Sequence, residues 1–391
     1  MALAPAPVPA GVRVTEVRTR AERTAFVNLP FRLYADDAAW VPPLRGEVHA
    51  LLTPGRNPWF EHATAAFLIA RRGTRVTGRI SAQVDRLVQA MPVDQGGGSD
   101  VGHWGMFEAE DPETAAALIA AAEDWLRRRG VRQAMGPFSL SVWDEPGLLV
   151  DGHDHPPTVM MGHHLPAYES YLTAAGYTGV KDLYCYELDI TEDLPPLIQR
   201  IITSGERNGR ITVRKVDRRR FAEEAAIILG ILNDAWSDNW GYVPLTDAEI
   251  AHAGKKLKPV VFEDLIMIAE VEGEPVAFMM TLPDLNELTA DLNGRLFPFG
   301  FAKLLWRLRK PRVRTMRVPL MGVVKRMQAT RLASQLAFMM IEYIRRASVA
   351  NYGATRSEIG WILEDNQGMR SIAHALKTRI NKTYRIYQRS I

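Results

Sequence analysis

The sequence predicts an α/β protein of two tandem domains, each a mixed, mostly antiparallel twisted sheet flanked by helices. Three observations predict it. The chain has 391 residues, more than one ordinary core holds and enough for two domains of roughly 150–200 residues each. Hydrophobic residues make up 47% and charged residues 24%, so both halves can bury a core. One order of elements then runs twice along the chain, at an offset of roughly 200 residues, as duplication of a domain would leave it.

In the first half, a short strand over 12–18 leads into a helix near 21–34. Two β-type runs, 63–71 and 75–85, flank Arg72-Gly73-Thr74 and read as a hairpin. A Gly-rich loop, 96–99, precedes a strand at 103–108. Pro112 opens a helix that runs to Arg129 and stops at Gly130. A strand at 133–138, a long connection, a helix at 166–175 and a strand at 182–188 follow. The second half repeats the order: strand 211–216, helix 221–234, hairpin 264–271 with 275–281, strand 315–324, helix 329–346, strand 357–363, helix 366–376 and strand 383–388. Local sequence repeats too: Trp40-Val41-Pro42 against Tyr242-Val243-Pro244, and Leu68-Ile69-Ala70 against Met267-Ile268-Ala269. The expected boundaries are a disordered leader at 1–10, a first domain over 11–192 and a second over 193–391.

A single cysteine, Cys185, excludes a disulfide framework and a multi-cysteine zinc site, and suits a reducing compartment. No signal peptide and no roughly 20-residue apolar span are evident. Net charge is only +3, yet residues 292–341 contain no Asp or Glu while Lys and Arg recur. That asymmetry calls for an anionic partner: cofactor phosphates, an anionic lipid surface or nucleic acid.

The doubled element order, with Met321-Gly322-Val323-Val324 followed by Gln328-Ala329-Thr330-Arg331-Leu332-Ala333, resembles the GNAT acyltransferases. In that family a central strand ends in a loop of the form Gln/Arg-x-x-Gly-x-Gly/Ala that opens a helix. Gln328 and Ala333 match, and Arg331 stands where glycine is usual. A helix N-terminus presents unpaired N–H groups and a favourable dipole to a pyrophosphate, and Arg331 would add a guanidinium. The resemblance therefore implies acyl-CoA as a co-substrate, with no tightly bound cofactor. It would be held by Met321, Gly322, Val323, Val324, Gln328, Arg331, Ala333, Ser334 and Asn366. Asn366 is also a good helix N-cap in its own right. The tyrosine that protonates the departing thiolate in the family is replaced near Ala373. In the first half Glu110-Asp111-Pro112 occupies the phosphate slot, where like charge repels phosphate. That half is expected to have lost cofactor binding and to shape the acceptor pocket.

The connection from Gly136 to Tyr168 is long for a compact domain and carries four of the nine histidines. Amide formation from a thioester needs a base for the amine and donors for the oxyanion. His163 or His164 is expected as the base, with Glu145 or Asp144 orienting it or binding an ammonium group. Backbone N–H groups of Gly322–Val324 are expected at the oxyanion. Asp151, His153 and His155 alternate as metal ligands can, but the flanking Gly and Pro favour a turn, and no metal is expected.

Aromatic and aliphatic residues alternate with Lys and Arg from Leu296 to Lys310. Such a segment suits an interfacial membrane helix, so 296–317 is expected on an anionic membrane surface. It would equally line a tunnel for a long acyl chain. Gly136-Pro137, Glu145-Pro146-Gly147-Leu148-Leu149, Pro156-Pro157, Met160-Met161, His163-His164, Gly322-Val323, Trp361 and Asn366 together resemble the bacterial ceramide synthase branch of GNAT-like proteins. That resemblance implies transfer of a long-chain acyl group to the primary amine of a sphingoid base or similar amphipathic amine. The free thiol and the basic, aromatic segment lead us to expect a cytoplasmic protein, peripheral at the inner face of the cytoplasmic membrane and without a specific nucleic-acid partner. Two other readings stand beside it: an aminoacyl-tRNA-dependent transferase and a non-catalytic acyl-CoA sensor.

Overall fold

The computed structural model describes residues 11–391, so the leader expected at 1–10 lies outside the described residues. The chain forms two compact units. One comprises the residues up to Leu183 with Leu292–Arg295 and Lys382–Ile391, and the other comprises Tyr184–Asp291 with Leu296–Asn381.

The first unit contains β1 (Arg13–Glu16), α1 (Arg20–Leu33), β2 (Ala63–Arg72), β3 (Arg75–Asp85), β4 (Val101–Ala109), α2 (Pro112–Arg127), β5 (Gln133–Gly136), β6 (Leu148–Asp151), α3 (Tyr168–Ala174) and the start of β7 (Thr178–Asp189). Its strands run in the order β1-β2-β3-β4-β5, antiparallel except for the parallel β4–β5 pair, and the last strand of the chain adds antiparallel to β5. Alternation sorts the two sheet faces. Ala66, Leu68, Ile80 and Ala82 pack with the Ala-rich face of α2. Phe67 and Ile69 point the other way, toward Phe26 and Val27 of α1. Thr19 caps α1 in a full capping box with Glu22.

The second unit contains α4 (Pro196–Glu206), β8 (Ile211–Lys215), α5 (Phe221–Trp236), α6 (Asp247–Leu257), β9 (Ile266–Val271), β10 (Glu274–Pro283), α7 (Gly300–Arg309), β11 (Thr315–Val323), α8 (Arg331–Ala347), β12 (Arg356–Leu363), α9 (Gln367–Ala375) and the start of β13 (Arg379–Ser390). Here the order is β12-β11-β10-β9-β8, antiparallel except for the parallel β11–β12 pair. The topology of the first unit is thus repeated: β4, α2 and β5 correspond to β11, α8 and β12. Leu336, Ala337, Phe338, Met340, Ile341 and Ile344 of α8 are buried, and α8 packs on β9 and β10 while α5 packs on β10 and β11. Burying each large aliphatic side chain stabilises the layer by about 1.5–3 kcal/mol.

Several elements were not expected from the sequence. Strand β6 lies inside the 136–168 connection, whose Gly, Pro and His content masks it. Helices α4 and α6 were missed although α4 carries Leu197, Ile198, Ile201 and Ile202 at helical spacing and α6 opens on a Thr246–Glu249 capping box. Helix α7 forms within the basic segment as expected. Three of its apolar residues face outward: Phe301 is 51% exposed, Leu305 49% and Trp306 73%, with Phe297 and Phe299 at 82% and 80% in the preceding turn, while Leu304 and Leu308 are half-buried. The inward side carries Arg307, bonded to Asp291 and to the Leu288 carbonyl.

Candidate active site

The parallel β11–β12 ladder runs from Thr315–Arg356 to Val318–Ile359 and stops there, although β11 continues to Val323 and β12 to Leu363. The strands splay beyond that point, and a small cleft open to solvent occupies the gap. Val318, Pro319 and Met321 form one wall, Ile359 to Leu363 the other, with Trp236, Asn239, Asn366 and Met369 completing it. The Trp236 and Trp361 rings lie 6.2 Å apart and tilted, beside the amides of Asn239 and Asn366. Gly360 is required behind the cleft, since a Cβ there would lie 2.7 Å from Cys185 Sγ.

Backbone alternation determines which amides face the gap. Val324 donates its N–H to the Val276 carbonyl at 2.9 Å, and Gly322 pairs with Phe278 in the same ladder. Both are committed to the β10 edge. Met321 and Val323 therefore turn their backbone groups to the opposite edge, into the gap. Their carbonyls accept from the Trp236 indole N–H at 3.0 Å and from Gln328 Nε2 at 2.9 Å. The oxyanion donors expected across Gly322–Val324 thus narrow to the Val323 N–H, with Met321 behind it, and Val324 is excluded.

Below the gap, Thr330 precedes α8 and makes no side-chain cap, so the helix presents its first amides, with Arg331 and Ser334 exposed on its opening turn. Ala333 donates its N–H only to the Thr330 carbonyl, at 3.2 Å. Asn366 lines the cleft and also accepts the Met369 N–H at 3.0 Å, so it is both wall and N-cap. The counterpart in the first unit is closed twice over. Asp111 caps α2 through the Thr114 N–H and is clamped by Arg72 at 2.7 and 3.0 Å. Above it, Phe138 lies across β4, donating to the Trp104 carbonyl; a Cβ at Gly105 would fall 1.7 Å from the Phe138 carbonyl oxygen.

The residues expected to carry chemistry in the 136–168 segment lie in this first unit, around a polar cluster. His163 pairs its Nε2 with Asp37 Oδ2 at 2.8 Å, and its buried Nδ1 has no partner among the described residues. The carboxylate that meets His163 is thus Asp37, while Glu145 and Asp144 make their hydrogen bonds elsewhere. Burial raises the Asp37 carboxyl, but hydrogen bonds from His163 and the Ala39 N–H outweigh it and hold it low. His164 accepts the Leu149 N–H on Nδ1 at 3.1 Å. Burial, then the neighbouring His163, His153 and Arg79, push it down to about 3, which leaves it a neutral acceptor. Asp144 binds the N–H and hydroxyl of Ser141, holding a turn. Glu145 accepts from Ser139 Oγ at 3.3 Å, and desolvation raises its carboxyl despite Arg79. His155 pairs with Asp154 at the surface, and among the described residues no cluster of His, Cys, Asp and Glu is arranged to hold a metal.

Sequence reasoning missed the partners of these groups. Glu108 is buried and receives hydrogen bonds from Tyr34 and Tyr168 at 2.7 and 2.8 Å, with Arg79 at 3.5 Å. Desolvation raises it, with Arg79 and the two phenols opposing. Tyr34 also reaches the His163 carbonyl. The signal was present as the alternation Arg79-x-Ser81-x-Gln83-x-Asp85, a polar stripe inside a strand whose other face is apolar.

Two splayed-sheet repeats, one open and one plugged, define a tandem GNAT-fold protein. Solved structures share this architecture across the chain. A tandem GNAT protein from the clavulanic acid biosynthesis pathway superposes with a TM-score of 0.56 at 12% identity, covering 97% of this chain and 98% of that one. A GCN5-related N-acetyltransferase from Sphaerobacter thermophilus superposes at 0.53 and 11%, covering 98% and 97%. In sequence the chain is 44% identical over 384 residues to the bacterial ceramide synthase of Caulobacter vibrioides, spanning 98% of each. It is 40% identical over 369 residues to protein YghO of Escherichia coli, spanning 94% of this chain and 92% of that one. No protein-family profile matches it. The chain belongs to the bacterial ceramide synthase family and is a GNAT-type N-acyltransferase.

Proposed function

We propose that the protein moves a long-chain acyl group from acyl-CoA to the primary amine of a lipid-like acceptor such as a sphingoid base. The observation that supports this most directly is the asymmetry between the repeats. The second unit keeps an open, tryptophan-walled cleft beside an uncapped helix end, which suits a thioester and its phosphates. The first unit has its own carboxylate at the equivalent helix end, so it takes the acceptor side. In this reading Val323 supplies the oxyanion donor, Gln328, Arg331, Ala333, Ser334 and Asn366 frame the donor, and His163 accepts the amine proton with Asp37 orienting it. Glu145 holds the ammonium form before transfer. The test is incubation of purified protein with palmitoyl-CoA and a long-chain amino alcohol, following both free thiol and amide by mass spectrometry. Thiol release without amide would refute the proposal.

The reading includes work at the inner face of the cytoplasmic membrane, with residues 296–317 meeting anionic lipid. No helix among the described residues is long and apolar enough to span a bilayer. Helix α7 instead presents Phe301, Leu305 and Trp306 outward together with Lys303 and Arg309, the mixture of apolar and basic side chains that suits an anionic interface. Sedimentation with phosphatidylglycerol vesicles, and its absence with phosphatidylcholine alone, is the expected outcome.

A further inference from the structure

The turns that follow α1 and α5 are built from the same bonds, and one position in them differs in chemistry. After α1, Asp37 donates its N–H to the Tyr34 carbonyl at 3.1 Å, and its own carbonyl accepts the Trp40 N–H at 3.2 Å. After α5, Asn239 donates to the Trp236 carbonyl at 2.8 Å and accepts from Tyr242 at 3.2 Å. Val-Pro follows in both places, as Val41-Pro42 and Val243-Pro244. The aromatic residue that starts each turn reaches the central strand of its own sheet. Tyr34 donates to Glu108 of β4, and Trp236 donates to the Met321 carbonyl of β11. Each also meets the aromatic residue that closes its turn, Tyr34 against Trp40 at 5.4 Å and Trp236 against Tyr242 at 6.2 Å. Asn239 is therefore the second unit's counterpart of Asp37.

The turn uses the backbone groups of this residue and leaves its side chain for the site. In the first unit the carboxylate meets His163. In the second the carboxamide lines the cleft between β11 and β12, half-buried, and makes no side-chain hydrogen bond among the described residues. The acceptors around it are already occupied. The Met321 and Val323 carbonyls take Trp236 and Gln328, and Asn366 commits its side-chain oxygen to the Met369 N–H. What this end of the gap still offers is donors: the Val323 N–H, the Asn366 Nδ2 and the Asn239 Nδ2. A neutral carboxamide adds an N–H to that set, where a carboxylate would add only acceptors and a negative charge.

We infer that Asn239 is a catalytic residue of the donor side, whose Nδ2–H bonds the thioester carbonyl oxygen and holds the negative charge that develops there. This rests on the donor reading above and adds to the Val323 N–H a side-chain donor from a different element. As the amine attacks, its lone pair forms the C–N bond and the carbonyl pair moves onto oxygen. That pair then re-forms the carbonyl as the C–S bond breaks, the thiolate leaves with its electrons, and the nitrogen's proton passes to the base. Donors aimed at such an oxygen act mainly in the transition state. The duplicated position has thus diverged by a single group: an oxygen where a proton is held, and an NH2 where negative charge forms.

Steady-state kinetics of the full chain with palmitoyl-CoA and a long-chain amino alcohol, following amide and free thiol separately, test it. Asn239→Ala should lower kcat by about 10²–10³, the scale of one lost oxyanion donor. Each KM should change by less than about threefold, because the bond is made in the transition state. Asn239→Asp keeps the shape and removes the donor, so it should fall at least as far. Thiol released by water without any amine passes through a similar oxyanion and should fall in parallel. Thermal melts establish that both variants are folded, as expected for a side chain without an internal hydrogen bond. Wild-type kcat in either variant overturns the assignment, and so does a loss confined to KM for the amine, which would put Asn239 on the acceptor. Amide formation that survives both substitutions sinks this inference and leaves acyl transfer standing. Thiol release from wild type without amide, lost in both variants, refutes the amine acceptor and upholds Asn239.

Discussion

His163 and Asp37 meet at 2.8 Å across 126 residues of sequence, Nε2 against Oδ2. With a carboxylate as its partner, Nε2 carries the proton and Nδ1 keeps the lone pair, inside a pocket where Tyr34 packs edge-on at 5.6 Å. In the proposed role as base, His163 would use this Nδ1, which is buried and has no partner among the described residues. Asp37→Asn should therefore lower kcat by about 10²–10⁴ with little change in KM, the scale of lost general-base catalysis. His164→Gln should cost much less, because His164 already spends Nδ1 on the Leu149 N–H. Steady-state kinetics on wild type and the two variants decide it, and equal losses in Asp37→Asn and His164→Gln would remove the distinction.

Arg331 sits exposed on the first turn of α8, whose amides lack a side-chain cap. If phosphate lies there, Arg331→Ala should weaken acyl-CoA by about ten- to a hundredfold, the value of a charge-assisted hydrogen bond. Acyl-pantetheine, which has no pyrophosphate, should bind wild type and variant alike. Competition binding with the two thioesters reads the difference directly.

Gly105 is where the first unit's splay is closed. A methyl group there would fall 1.7 Å from the Phe138 carbonyl oxygen and 2.3 Å from its carbon, and a backbone carbonyl cannot swing away as a side-chain end can. Gly105→Ala should destabilise the protein by more than about 3 kcal/mol, beyond ordinary overpacking. Gly46→Ala, with open space around its Cβ, is the control and should leave the melting temperature within a few degrees.

The contrast between these residues shows what sequence carried. The hairpins, α2 and the Asn366 cap follow from local rules of alternation, helix entry and turn chemistry, and each needs only neighbours in the chain. His163 was legible by type and setting. Its partner was not, because Asp37 lies in an unremarkable turn far away and only the fold brings it near. Asp144 looked chemical for the same reason His163 did, yet its oxygen is used by Ser141, three residues back. Val324 looked like an oxyanion donor until strand alternation tied it to Val276. Pairings at long range, and the direction in which each backbone group points, are properties of the folded sheet.

Protonation offers the last test, through His103. Its ring stacks on Phe138 at 4.4 Å and is buried, and desolvation lowers it to about 4. In the unfolded chain a histidine titrates near about 6.5. Between those values the unfolded state binds the proton and the folded state does not. The contribution of His103 is therefore present above about pH 6.5 and is lost as pH falls toward 4, at about 1.4 kcal/mol per pH unit. His164 acts in the same direction, and the raised carboxyls of Glu108 and Glu145 act in the opposite one at higher pH, so the wild-type profile alone mixes them. His103→Phe keeps the stacked ring and removes the titration. The stability difference between wild type and this variant, measured by urea unfolding, should shift by about 2–3 kcal/mol in favour of the variant between pH 6.5 and 4.5. A constant difference would mean that His103 takes its proton within the fold, and that the face it shares with Gln83 is wet enough to solvate a cation.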